Sequence, residues 1–219
     1  SLMTTKLYFR RDTTTDYSDL HHGGQWTRLD SSTVGAYIYR LAAANGTTDV
    51  LISTATVAGP TNGLENLFGV GLLPVLYMSP PVDSDVTISG SITFNLYGSE
   101  SSMSANAAIN CVLYKMDGQT LAITQFHKTV QTAELTTSQA VQNWSETPTS
   151  TSLKKGDRIL AVPFFDDSAG ANMASGYTVY FYLNNSTGRD SWVEFTETFT
   201  VGTEPTGTTI YLTDVTSDV

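Results

Sequence analysis

Val86-Thr87-Ile88-Ser89-Gly90-Ser91-Ile92-Thr93-Phe94-Asn95-Leu96-Tyr97 is the stretch that decides the fold. Val86, Ile88, Ile92, Phe94 and Leu96 alternate with small polar residues, a period of two that gives a strand one buried and one wet face. Gly90 falls in the apolar register, where a bulge or a close strand crossing is expected. Outward from this stretch the same grammar repeats, with strands expected at 4–10, 35–42, 49–57, 75–78, 107–116, 120–133, 157–165, 176–183, 191–201 and 208–213. Asp117-Gly118 reads as a hairpin turn between two of them. Gly59-Pro60-Thr61-Asn62-Gly63 and Pro80-Pro81 break the chain elsewhere, and no long helical pattern interrupts the series. The expected fold is all-β, an antiparallel jelly-roll-like β-sandwich of about 10–12 strands.

Composition agrees with that class. Of 219 residues, 40% are hydrophobic and only 15% charged, with 11 Tyr, 9 Phe and 3 Trp. Aromatic and β-branched side chains suit a pleated surface, and the apolar share is too high for a disordered chain. The formal charge of −10 disfavours nucleic acid, whose phosphates need clustered Lys and Arg. No run of eighteen apolar residues is present, so membrane insertion by a helix is not expected. The first residues lack a charged region followed by an apolar run, so no signal peptide is expected. Ser1-Leu2 before Met3 reads as a vector remnant. Cys111 is the only cysteine and lies in an apolar strand, where a small buried thiol is the simplest reading.

The search for chemistry returns weak candidates. Asp166, Asp167 and Asn172 supply the oxygen ligands calcium takes, inside a Gly-containing loop. The same residues also make an ordinary strand-ending turn, and no other cofactor is expected. His21 and His22 are sequence neighbours that read as loop histidines, and His127 is distant from them. Glu194 and Glu197 stand three residues apart, which puts them on opposite faces of a strand and not across a cleft. No Gly-x-Ser-x-Gly elbow or His-Glu-x-x-His is present. The chain is therefore expected not to be an enzyme. Sugar binding is the alternative, through Trp144, flanked by polar residues, or Tyr180 and Tyr182, which share one face of a strand. Trp26 and Trp192 read as core.

The ends of the chain echo each other. Thr5-Lys6-Leu7-Tyr8-Phe9-Arg10 followed by Asp12, Thr14 and Asp16 lines up with Thr208-Thr209-Ile210-Tyr211-Leu212-Thr213 followed by Asp214, Thr216 and Asp218. This divides the chain into one sandwich domain over 3–206 and the start of a repeated module over 207–219.

Val86 to Tyr97 together with Gly98-Ser99-Glu100-Ser101-Ser102-Met103-Ser104-Ala105-Asn106-Ala107 resembles a segment of uncharacterised structural proteins of tailed bacteriophages and prophages. Trp144-Ser145-Glu146-Thr147-Pro148-Thr149-Ser150-Thr151, then Lys155-Gly156-Asp157-Arg158-Ile159, is similar to the later half of the same proteins. The resemblance implies a virion component in the capsid decoration, neck or tail, assembled in the bacterial cytoplasm. Its implied partners are other virion proteins or copies of itself, with surface polysaccharide as the alternative ligand for host attachment. It carries over no catalytic residue.

Overall fold

The computed structural model describes residues 4–10, 37–44, 51–55, 75–183 and 189–202. The echo at 207–219, His21, His22 and Trp26 lie outside the described residues. The described residues form thirteen strands: β1 Thr5–Arg10, β2 Tyr37–Ala42, β3 Leu51–Ala55, β4 Val75–Met78, β5 Val86–Ile88, β6 Ile92–Glu100, β7 Ala107–Met116, β8 Ile123–Lys128, β9 Ala140–Glu146, β10 Thr151–Leu153, β11 Arg158–Asp167, β12 Thr178–Tyr182 and β13 Trp192–Phe195. A 3-10 turn, Met103–Ala105, sits between β6 and β7. Among the described residues no helix is long and apolar enough to cross a membrane.

Eleven strands form one sheet in the order β3-β12-β6-β13-β1-β2-β4-β11-β7-β8, with β9 paired to β6 off this path, and β10-β5 form a separate ribbon. Every pairing is antiparallel except β2 with β4. The long sheet closes over itself, so that Leu7 of β1, Phe94 of β6, Ile109 of β7, Ala161 of β11, Phe181 of β12 and Val193 of β13 share one core. This is the antiparallel β-sandwich that the alternating pattern implies.

The decisive stretch behaves as its residues demand. In β6, Ile92, Phe94 and Leu96 are fully buried while Thr93, Asn95 and Tyr97 face outward half-buried. The expected single strand is broken after Ile88, and Gly90 shows why. A Cβ there would lie 2.0 Å from Thr196 Oγ1, so only glycine admits the crossing chain. Its amide and that of Ser89 donate to Glu197 Oε1 at 2.6 and 2.8 Å, which fixes the break. β5 then leaves to pair with β10, and β6 continues to Glu100.

β6 is the hub of the molecule. One of its edges carries β9 over residues 92–98. Its other edge is shared, with β13 against residues 92–95 and β12 against residues 97–100. The hairpin at Asp117-Gly118 forms as expected, with Asp117 Oδ1 accepting from the amides of Gln119 and Thr120 at 2.8 and 2.7 Å. β9 and β10 were not expected, because Gln142-Asn143-Trp144-Ser145-Glu146 carries no apolar alternation. Their pairing comes from ladder bonds to apolar partners that lie far away in sequence.

Candidate functional site

The outward face of β6 and its neighbours gathers the aromatic side chains. Register places Tyr8 of β1 opposite Trp192 of β13, Trp192 opposite Asn95 of β6, and Asn95 opposite Asn143 of β9. One step along β6, Tyr182 of β12 lies opposite Tyr97, and Tyr97 opposite Val141. One step further Tyr180 faces Ser99. Residues directly opposite, or two apart on one strand, are side-chain neighbours on a sheet. Tyr8, Trp192, Tyr97, Tyr182 and Tyr180 therefore make one continuous half-exposed surface.

Several contacts hold these rings in place. The Tyr180 and Tyr182 ring centroids are 6.5 Å apart, and Tyr182 Oη lies 2.9 Å from Ser99 Oγ. Lys6 Nζ sits 4.0 Å from the Trp192 ring centroid, a cation–π contact that fixes one face of the indole. Asn143 Nδ2 donates to Asn95 Oδ1 at 2.9 Å, and Asn95 Nδ2 donates to the Asp190 carbonyl at 2.9 Å. Burial, with the carboxylates of Asp190 and Glu194, raises the Tyr8 pKa, so its hydroxyl stays protonated and able to donate. Ser191 ties the surface to the hub: its hydroxyl donates to Tyr182 O at 2.6 Å and accepts from the Tyr97 amide at 3.0 Å. It is fully buried at the point where β12 and β13 divide the edge of β6.

The expected sugar-binding residues thus separate. Tyr180 and Tyr182 come together on the outer face, whereas Trp144 turns inward on β9. Its ring stacks on Phe94 at 5.3 Å and 20°, and its Nε1 donates to Glu146 Oε1 at 2.9 Å. His127 of β8 stacks on Phe94 as well, at 5.9 Å, and its Nε2 lies 3.1 Å from Glu146 Oε2. That approach is a close polar contact and not an aligned hydrogen bond. His127 is therefore a half-buried strand residue, within the strand expected over 120–133. Burial lowers its pKa, and the Glu146 carboxylate only partly opposes this. Trp192, read as core from sequence, belongs to the outer face. Tyr8 and Tyr97 were missed; the signal that locates them is cross-strand register, which no single strand carries.

The calcium candidates lie at the end of β11 and in the turn that follows it. Asp166 and Asp167 end β11 on opposite faces; Asp166 Oδ1 accepts from the Asp167 amide at 2.8 Å and Asp167 Oδ1 from the Met173 amide at 2.6 Å. The Asn172 carbonyl accepts from Asn106 Nδ2 at 3.3 Å. Among the described residues no group of three or more His, Cys, Asp or Glu side chains is placed to hold a metal. Cys111 lies in the core, where burial pushes its thiol pKa far upward. Glu194 contacts Lys6 at 4.0 Å, while Glu197 lies beyond the end of β13 and anchors Gly90. Glu100 is a carboxyl sealed in the interior, 1% exposed. Its Oε2 accepts from the Ala107 amide at 3.1 Å and its Oε1 has no partner. Burial raises its pKa; the Ala107 amide opposes the rise and nearby Glu134 adds to it.

No family model matches the chain, and no curated protein matches it. Among solved structures, a CocE/NonD family hydrolase from Staphylococcus aureus is similar in fold, with a TM-score of 0.52 and 10% identity, over 88% of this chain and 36% of that one. A second structure of a CocE/NonD family hydrolase from the same organism gives 0.49 at 9% identity. An alpha-amino acid ester hydrolase gives 0.48 at 7%, and both cover 88% of this chain and 36% of theirs. The chain thus spans about a third of the hydrolases it matches. This corrects the expectation that the chain is not an enzyme: a hydrolase chain contains a sandwich of this fold, so missing catalytic motifs do not remove it from enzymes. Catalytic residues are grafted onto folds and are not dictated by them. At this identity the likeness establishes fold alone.

Proposed function

We propose that the chain is a structural interaction module of a phage or prophage particle, in the capsid decoration, neck or tail, that makes its contacts through the outer face of β6. The observation that carries this reading is the single surface of Tyr8, Trp192, Tyr97, Tyr182 and Tyr180, held by Ser191 and Lys6. Tyr and Trp supply large, stiff, amphipathic contact area at low entropic cost, which is why recognition surfaces favour them. The resemblance of 86–107 and 144–159 to virion proteins supplies the setting. Copies arrayed on a particle would raise the effective strength of a weak contact. Mass spectrometry of density-gradient-purified particles tests the proposal. Stoichiometric recovery is expected; absence from particles while the protein is present in the lysate overturns it.

A second reading follows from the 36% coverage of the hydrolase structure: the chain serves as the sandwich unit of a larger hydrolytic protein. Ester and amide hydrolysis by the full-length gene product tests this. Turnover that persists in a truncation lacking this sandwich would assign the unit a binding role beside the catalytic one.

A further inference from the structure

We infer that the outer aromatic face is a binding site for an uncharged, hydroxyl-rich polysaccharide. The inference rests on the interaction-module reading and names the partner. Its first support is the pairing of ring surfaces with hydrogen-bonding groups. Trp192, Tyr182 and Tyr180 offer half-exposed rings, while Asn95, Asn143 and the tyrosine hydroxyls stand between and beside them. A pyranose ring has the matching character, with an apolar C–H face and a hydroxyl rim. Such a ligand needs stacking and hydrogen bonding from the same patch.

Charge supplies the second support. The chain carries −10, yet among the described residues this face sets Lys6 and Arg10 beside Asp190 and Glu194, with no charge in excess. Lys6 lies 4.0 Å from Glu194 and covers Trp192, and Arg10 Nη1 donates to the Ala44 carbonyl at 3.2 Å. Among the described residues a polyanion would find no array of cations here, and a basic peptide no array of free carboxylates.

The test is titration of the purified chain with soluble glucan, mannan, galactan and chitin oligosaccharides and with bacterial O-antigen polysaccharide. Trp192→Ala and Tyr180→Ala are compared with Trp144→Phe, whose ring faces inward, after circular dichroism confirms each fold. Saturable binding to at least one neutral glycan is expected. Each outer-face variant should weaken it about tenfold or more, and Trp144→Phe should leave it unchanged. No binding across the panel overturns the inference, and recovery of the chain from particles would then leave the module reading standing. Binding that survives both outer-face variants overturns it too. Self-association abolished by the same variants, without glycan binding, assigns the face to a second copy and overturns it. Glycan binding by a chain absent from particles upholds this inference while removing the particle setting.

Discussion

Two aromatic groups lie back to back on β6, and they differ in everything except residue type. Phe94, Trp144 and His127 stack on the inner side, where Phe94 is fully buried and Glu146 meets both heteroaromatic rings. Tyr97, Trp192, Tyr182 and Tyr180 spread over the outer side, half-exposed, with amides and hydroxyls between them. One residue of register separates the groups. Phe94 and Leu96 point in, Asn95 and Tyr97 point out, and every cross-strand neighbour follows its partner. The inner group ties β8 and β9 together across β6. Aromatic content therefore does not distinguish core from contact surface, and the parity of the strand does.

Phe94→Ala strikes the comparison hardest. Removing a fully buried ring that two others stack on should cost about 3–5 kcal/mol, read as a lowered midpoint in denaturant. Outer-face ligand binding should be lost only in parallel with unfolding.

Ser191→Ala comes next, because it strikes the joint between the two sides. It leaves the Tyr97 amide and the Tyr182 carbonyl without their hydroxyl partner, at a cost of roughly 1–3 kcal/mol. Ligand affinity should fall even where the fold survives, since Trp192 and Tyr182 lose their common anchor. Unchanged affinity in a folded Ser191→Ala variant would mean that the rings are positioned some other way.

Acidity separates the sides without mutation. Burial holds the folded pKa of His127 below its ordinary value of 6.5, so the unfolded chain takes up the proton first. His127's contribution is complete above that value, and stability falls as pH drops from 6.5 toward the lower folded pKa. Glu100 acts in the opposite sense. Its folded pKa is raised above 4.5, so its contribution is complete below 4.5 and is lost as pH rises through the folded value. Denaturation midpoints measured between pH 7 and 5 should decline, and His127→Gln should flatten that slope. A slope unchanged by His127→Gln would assign it to other groups.

Tyr180→Ala is the smallest expected perturbation to the fold. A half-exposed ring on the outer face should change stability by less than about 1 kcal/mol while weakening ligand binding. A loss as large as that of Phe94→Ala would show that the outer rings are structural after all.

Much of the fold was legible because alternation is a local property. Ile92, Phe94 and Leu96 announce a half-buried strand, Asp117-Gly118 announces a hairpin, and Gly90 announces a crossing; each reading needs only neighbouring residues. Trp144 was not legible. Its polar flanks suggest exposure, but β9 is set by seven register pairs with β6, and those place even-numbered residues inward. The outer face was half legible, since Tyr180 and Tyr182 share a strand face by spacing, whereas Tyr8, Tyr97 and Trp192 join them only through pairing.

By itself the sequence determined that this is an antiparallel β-protein without an evident catalytic motif, because strand period, turn residues and composition act over a few residues. The tertiary structure alone decided which aromatics became core and which became surface. That choice depends on the register between strands as distant as β1 and β13, which is set by the packing of the whole sheet and by no residue in isolation.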